Sequence, residues 1–161
     1  MSQVETLVEQ LDRSFHGPAW HGPAVAEALA GVDAAASIAH PLPRAHSIFE
    51  IVRHLTVWNE VPRRRIDGER LENLSSERDW PPLGEASATA WQAAIAGLEA
   101  AHAALLARVR DLTEAQLDGP VAGSDPTVRG MLLGVLQHNT YHAGQITLLR
   151  KGGAVSVERT L

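Results

Sequence analysis

The sequence predicts an all-α protein, a four-helix bundle with one additional short helix, and three observations carry that prediction. Four long segments repeat apolar residues every three or four positions, no segment of comparable length alternates like a strand, and Gly/Pro-rich stretches separate the helical segments. Four amphipathic helices bury their apolar stripes by packing around one core. A chain of 161 residues can bury about two thirds of its unfolded surface and is the length of one domain, so a single domain over 1–161 is expected.

The first helix is expected over about Val4–Phe15, where Val4, Leu7, Val8, Leu11 and Phe15 share a side, and it ends at Gly17-Pro18. Trp20–Leu29 can hold the additional short helix, punctuated by Gly22-Pro23 and Gly31. The second long helix begins at Ser47, whose hydroxyl can accept from a free amide of the first turn, and Glu50 three residues on completes a capping box. It extends to about Ile66, and Pro62 should kink its last turn by removing a backbone donor. The third spans about Ser87–Leu112; Trp91, Ile95, Leu98, His102, Leu105, Val109 and Leu112 mark its seam. The fourth runs from about Thr127 to Lys151 and stops at Gly152-Gly153, where left-handed backbone is easily adopted.

Composition narrows the function. The net charge of -5, with both signs interspersed, gives no basic field for nucleic acid, and Arg63-Arg64-Arg65 reads as a solvated helix end. No apolar run reaches the ~20 residues that cross a bilayer and no signal segment is visible, so a cytoplasmic protein without a membrane partner is expected. With no cysteine, any metal must be held by nitrogen or oxygen.

The fourth helix carries the chemistry. Its seam reads Val128, Met131, Val135, His138, His142, Gln145 and Leu149, so two imidazoles stand one turn apart on the core side. Gly130 and Gly134 continue that stripe backward from His138, leaving a face without side chains. Either a neighbouring helix approaches there or a site requires the space. On the second helix Ile51, His54, Leu55 and Trp58 share a side, so His54 can converge with His138 and His142. Three protein nitrogens with an open position make a catalytic rather than a structural metal site. The alternative is a core in which the histidines are satisfied by carbonyls or water, although two adjacent buried imidazoles without a metal or acid partner are poorly satisfied. His102 is either a fourth ligand or, preferably, a core histidine; His46 reads as structural, and Tyr141 as packed between helices. Asn59 and Glu60 are expected at the rim.

These residues resemble the DinB-like, or YfiT-like, family. The resemblance covers essentially the whole chain and rests on Trp20, His46-Ser47-Ile48, Ile51-Val52-Arg53-His54-Leu55, Trp58, Asp79-Trp80-Pro81, Trp91, Leu98 and Gln137-His138-Asn139-Thr140-Tyr141-His142-Ala143-Gly144-Gln145-Ile146. It implies an up-down-down-up bundle, often a homodimer, with a divalent metal on His54, His138 and His142. It also implies relatives that include metal-dependent thiol transferases using bacillithiol or mycothiol, and a maleylpyruvate isomerase. A divalent ion on neutral imidazoles can activate water or hold a thiol as thiolate, which makes the expected function a metal-dependent hydrolase or a low-molecular-weight-thiol S-transferase acting on a small molecule. The alternative is a non-catalytic metal-binding stress-response module. Imidazole ligands suit zinc, nickel, copper and iron, of which zinc or nickel is expected here, and any thiol must come from a cosubstrate because the chain has none. Glu50, one turn before His54, and Gln145, three residues past His142, are the candidate catalytic residues, although the capping box explains Glu50 equally well. The variable loops Leu74–Gly84 and Asp118–Pro126 are expected to line part of the pocket.

Overall fold

Helix signals in the sequence translate into eight helices in the computed structural model, which describes residues 2–123 and 126–158, with side chains described to Gly153. They are α1 (Gln3–His16), α2 (Val25–Leu29), α3 (Ala34–Ile38), α4 (Ile48–Ile66), α5 (Ser76–Asp79), α6 (Ala88–Arg110), α7 (Glu114–Leu117) and α8 (Val128–Glu158). Among the described residues there is no strand; isolated bridges join Ala19 to Gly22 and Pro120 to Thr127. No described helix is long and apolar enough to cross a membrane.

Caps set the helix starts. Ser2 with Glu5, Ser47 with Glu50 and Thr113 with Gln116 form reciprocal capping boxes, and Ser87 accepts from the Ala90 amide. At the end of α1 the Gly17 amide donates to the Arg13 carbonyl with φ at 88°. That positive φ selects glycine, and a Cβ there would have to displace the Glu27 carboxylate, 2.7 Å away.

Three sequence expectations change. The chain enters α2 only at Val25, because Gly22-Pro23 holds Trp20–Ala24 outside the helix; α3, α5 and α7 are single short turns too brief to show periodicity. α4, by contrast, reaches Ile66 as expected, with Pro62 buried inside it. The fourth long helix passes Gly152-Gly153 and reaches Glu158; a glycine permits a left-handed stop without requiring one, and Gly152 instead lets Pro41 pack close, 3.4 Å from where a Cβ would stand.

In the bundle, α1 and α4 each pack on both α6 and α8. One apolar cluster joins Leu11, Leu105, Val109, Leu132 and Val135; a second joins Phe15, Ile51, Leu55, Trp91, Leu98 and Ile146. Burying each such side chain contributes ~1.5–3 kcal/mol before the entropy of ordering it is subtracted. Besides His54 and His142, the long helices bury Ser14, Asn59, His102 and Asn139, each from a different helix. Asn139 donates to Ser14 Oγ at 3.1 Å, and Asn59 lies 3.0 Å from His102 Nδ1, so these polar contacts join α8 to α1 and α4 to α6. Asn59, expected at the rim, is fully buried here because its position, one residue past Trp58, turns it from the cleft to the core.

Candidate metal centre

Helical spacing brings His138 and His142 together on α8, and the packing of α4 on α8 adds His54. The Nε2 atoms of His54 and His142 each lie 3.0 Å from Nε2 of His138. Metal–nitrogen bonds of ~2.0–2.1 Å in a tetrahedron put ligand nitrogens roughly 3.3 Å apart, so the cluster has the right span.

Second partners fix two of the rings. His54 Nδ1 donates to the Asp79 carbonyl at 2.8 Å, with Asp79 Oδ1 at 3.2 Å. The same Oδ1 accepts from the Trp58 indole at 2.7 Å. His142 Nδ1 lies 2.6 Å from Gln145 Oε1, an acceptor. A neutral imidazole carries one proton, so a proton on Nδ1 leaves Nε2 as a lone pair in both His54 and His142. Both lone pairs are aimed at Nε2 of His138, whose single proton could serve only one of them. The Nδ1 of His138 is buried without a hydrogen-bond partner among the described residues.

Protonation does not resolve this crowding. Burial holds all three rings below the ordinary histidine range, to about 4 for His138 and about 3 for His142, with mutual repulsion adding to both. For His54 the Asp79 carbonyl and charge oppose burial without overcoming it. Converging neutral nitrogens, oriented from behind by a carbonyl and an amide oxygen, suit a divalent cation and form a cluster that could hold one. His102 stays outside this cluster, as the core-histidine alternative had it.

Trp80 is the residue whose position the sequence did not reveal. Its indole stacks on His54 at 3.9 Å on one face and on His46 at 3.6 Å on the other. Asp79 and Trp80 arrive from the end of α5, within the loop expected to line the pocket; their Asp-Trp-Pro context was visible, but which histidine they meet depends on a fold-back across 25 residues. Of the second loop, Pro126 reaches a cavity wall and Ser124 and Asp125 lie outside the described residues.

Two cavities meet at the histidines. A cleft of about 480 Å³ is lined by Arg44, His46, Trp80, Tyr141, Gln145 and the three histidines. A second, of about 390 Å³, lies against His54 and His138 from the other side, walled by Trp58, Pro62, Met131 and Val135 and floored by Gly130 and Gly134. Of the two explanations for the glycine stripe, this structure supports the space. A Cβ at Gly134 would meet nothing within 4 Å, and one at Gly130 would meet Pro126 and Thr127 of its own segment. Tyr141, expected between helices, is 63% exposed at the rim with its ring 5.0 Å from His142, because the turn that carries His142 inward carries its neighbour about 100° around the helix.

A family model described as the DinB superfamily matches residues 19–146. The chain belongs to the DinB superfamily. The match takes in α2 to α7 and most of α8, and so includes every residue of the cluster. Neither curated proteins nor solved structures give a match.

Of the two residues expected to assist a DinB-superfamily centre in this chain, Gln145 lines the cleft beside His142. Glu50 stands at the α4 cap, accepting from the Ser47 amide at 2.7 Å and lying 3.4 Å from His46 Nδ1. Burial raises its pKa, but the Ser47 hydrogen bonds and His46 outweigh this and hold it below the ordinary range. Glu50 therefore touches the cleft only through His46.

Proposed function

We propose that the protein is a metal-dependent S-transferase that joins a low-molecular-weight thiol to a small electrophilic molecule at His54, His138 and His142, with zinc or nickel as the resident ion. The observation that carries this reading is that His54 and His138 line both cavities, so two organic substrates can reach one centre from different sides. Hydrolysis, which needs one organic substrate and water, is the second reading; the three nitrogens with open positions support it equally. A closed, non-catalytic module fits less well with a centre open to two cavities.

When bound, the ion supplies Lewis acidity and favours the ionised thiol. The remaining tasks fall to the chain. Asp79 and Gln145 keep the Nε2 lone pairs of His54 and His142 turned inward. With Oε1 held by His142, the Gln145 NH₂ group is left to donate to a substrate oxygen in the cleft. His46, oriented through Nδ1 by Glu50, presents its other nitrogen as proton carrier, which makes Glu50 a positioning residue. Arg44, which lines the cleft with its backbone at φ 66°, suits a thiol that carries a carboxylate. The glycine-floored cavity, with mostly apolar walls, suits the electrophile.

The cobalt-loaded protein tests this. Anionic low-molecular-weight thiols should change its visible absorption, and Arg44→Ala should weaken their apparent affinity several-fold while leaving cobalt content unchanged. A spectrum indifferent to every thiol would reject the transferase reading and leave hydrolysis.

We also propose an up-down-down-up chain course and a homodimer. Phe49 with Trp91 and Asp67 with Arg108 support a parallel α4–α6 pair, while His16 with Glu99 and Gln3 with Glu114 support an α1 antiparallel to α6. Exposed Leu133, Tyr141 and Leu148 on α8 support a self-association face, to be checked by light scattering of the eluting protein.

A further inference from the structure

A second group of metal-ligating side chains lies on the α1–α6 contact, outside the three-histidine cluster. Asp12 and His16 are four apart on α1, and Glu99 and His102 are three apart on α6, so each helix presents a carboxylate and an imidazole on one face. One ligand atom from each of Asp12, His16 and His102 lies within 4.8 Å of the other two.

His102 gives the independent observation. It is fully buried, its ring stacks on Phe15 at 4.0 Å, and Nε2 has no hydrogen-bond partner among the described residues. Its tautomer follows from the neighbours. Asn59 Nδ2 donates to the Leu55 carbonyl at 2.8 Å, which turns Asn59 Oδ1, an acceptor, toward His102 Nδ1 at 3.0 Å. The proton therefore sits on Nδ1, and Nε2 holds a lone pair that faces away from α4. A buried lone pair of this kind requires a donor or a cation. The adjacent ring, His16, cannot supply the donor, because Nδ1 faces Asp12 at 2.7 Å and Nε2 faces Glu99 at 3.1 Å.

We infer that Asp12, His16 and His102 form a second divalent-cation site, with Asp12 Oδ1, His16 Nδ1 and His102 Nε2 as ligands. Glu99 and Asn59 hold the non-ligating nitrogens of the two rings, the arrangement that orients ligating histidines generally. Two nitrogens and a carboxylate suit a first-row ion such as zinc or cobalt. Carboxylates on both His16 nitrogens, Asp12 at 2.7 Å and Glu99 at 3.1 Å, favour its protonated form. Binding releases the Nδ1 proton to solvent, and the cation takes its place between Asp12 and His16. Proton and cation compete for His16 Nδ1, as they do at any ligating imidazole. The site would clasp the end of α1 to the middle of α6.

Equilibrium dialysis of the full chain against cobalt at pH 7.5 tests the inference without reference to any activity. The expected result is two equivalents in wild type and one in His16→Ala, with Asp12→Asn matching His16→Ala; His16 is half exposed, so its removal leaves the core intact. His142→Ala should also lose one equivalent, and the double variant both. Equal cobalt in wild type, His16→Ala and Asp12→Asn would overturn the second site. Loss in His16→Ala with none in His142→Ala would uphold it and reject the three-histidine centre, so the two fail separately.

Discussion

Gln145 shows how a single side chain decides what an imidazole can do. Its Oε1, 2.6 Å from His142 Nδ1, holds the proton on the outer nitrogen and frees Nε2 for the centre. Replacing it with alanine should weaken metal binding about 10–100-fold, as loss of such partners commonly does, without changing the fold. Competition with a chromophoric chelator measures this, and an unchanged affinity would show that Gln145 does not orient His142. The inward placement of His138, His142 and Gln145 was legible in the sequence, because all three sit on the seam that Met131, Val135 and Leu149 define. The Trp80 stack between His46 and His54 was not. Stacking partners are chosen by where a loop lands, and no helical period encodes that.

Among the elements, α8 combines a packing seam with a cavity floor. Glycine inside a helix costs about 0.8–1 kcal/mol relative to alanine, and nothing stands within 4 Å of a Cβ built at Gly134. Gly134→Ala should therefore stabilise the protein by roughly 0.5–1 kcal/mol. Gly130→Ala should gain less, because its Cβ would lie 3.2 Å from Pro126. Chemical denaturation compares the two, and destabilisation by Gly134→Ala would show that the space is filled. The start of α4 at Ser47 was legible because a cap is a local device, with donor and acceptor three residues apart. The passage of α8 through Gly152-Gly153 was not, since Pro41 approaches there from a distant loop.

Across the whole molecule, burying neutral histidines links stability to pH. In the metal-free protein His54, His102, His138 and His142 are all held below the ordinary value, His102 and His138 to about 4. Between pH 6.5 and those lower values the unfolded chain binds more protons than the folded one, so stability rises with pH and is lost as pH falls through that window. For His102, a shift from 6.5 to about 4 corresponds to on the order of 3 kcal/mol. His16 acts in the opposite sense, but it is half exposed and its ion pairs are screened. Denaturation midpoints of chelator-treated protein should fall steeply from pH 6.5 to 4, and a flat profile would contradict the burial of neutral rings. The all-helical architecture was legible from apolar periodicity alone. The burial of His102 was legible from its seam, but its partner Asn59 and the Ser14–Asn139 pair were not, because each of those contacts joins two different helices.

A divalent ion held by His54, His138 and His142 should be lost with His142. Elemental analysis of bound metal in wild type and His142→Ala, both loaded and dialysed identically, measures that loss. The variant should remain folded and carry one equivalent less than wild type. Equal metal content in the two proteins would rule out an ion on the three histidines.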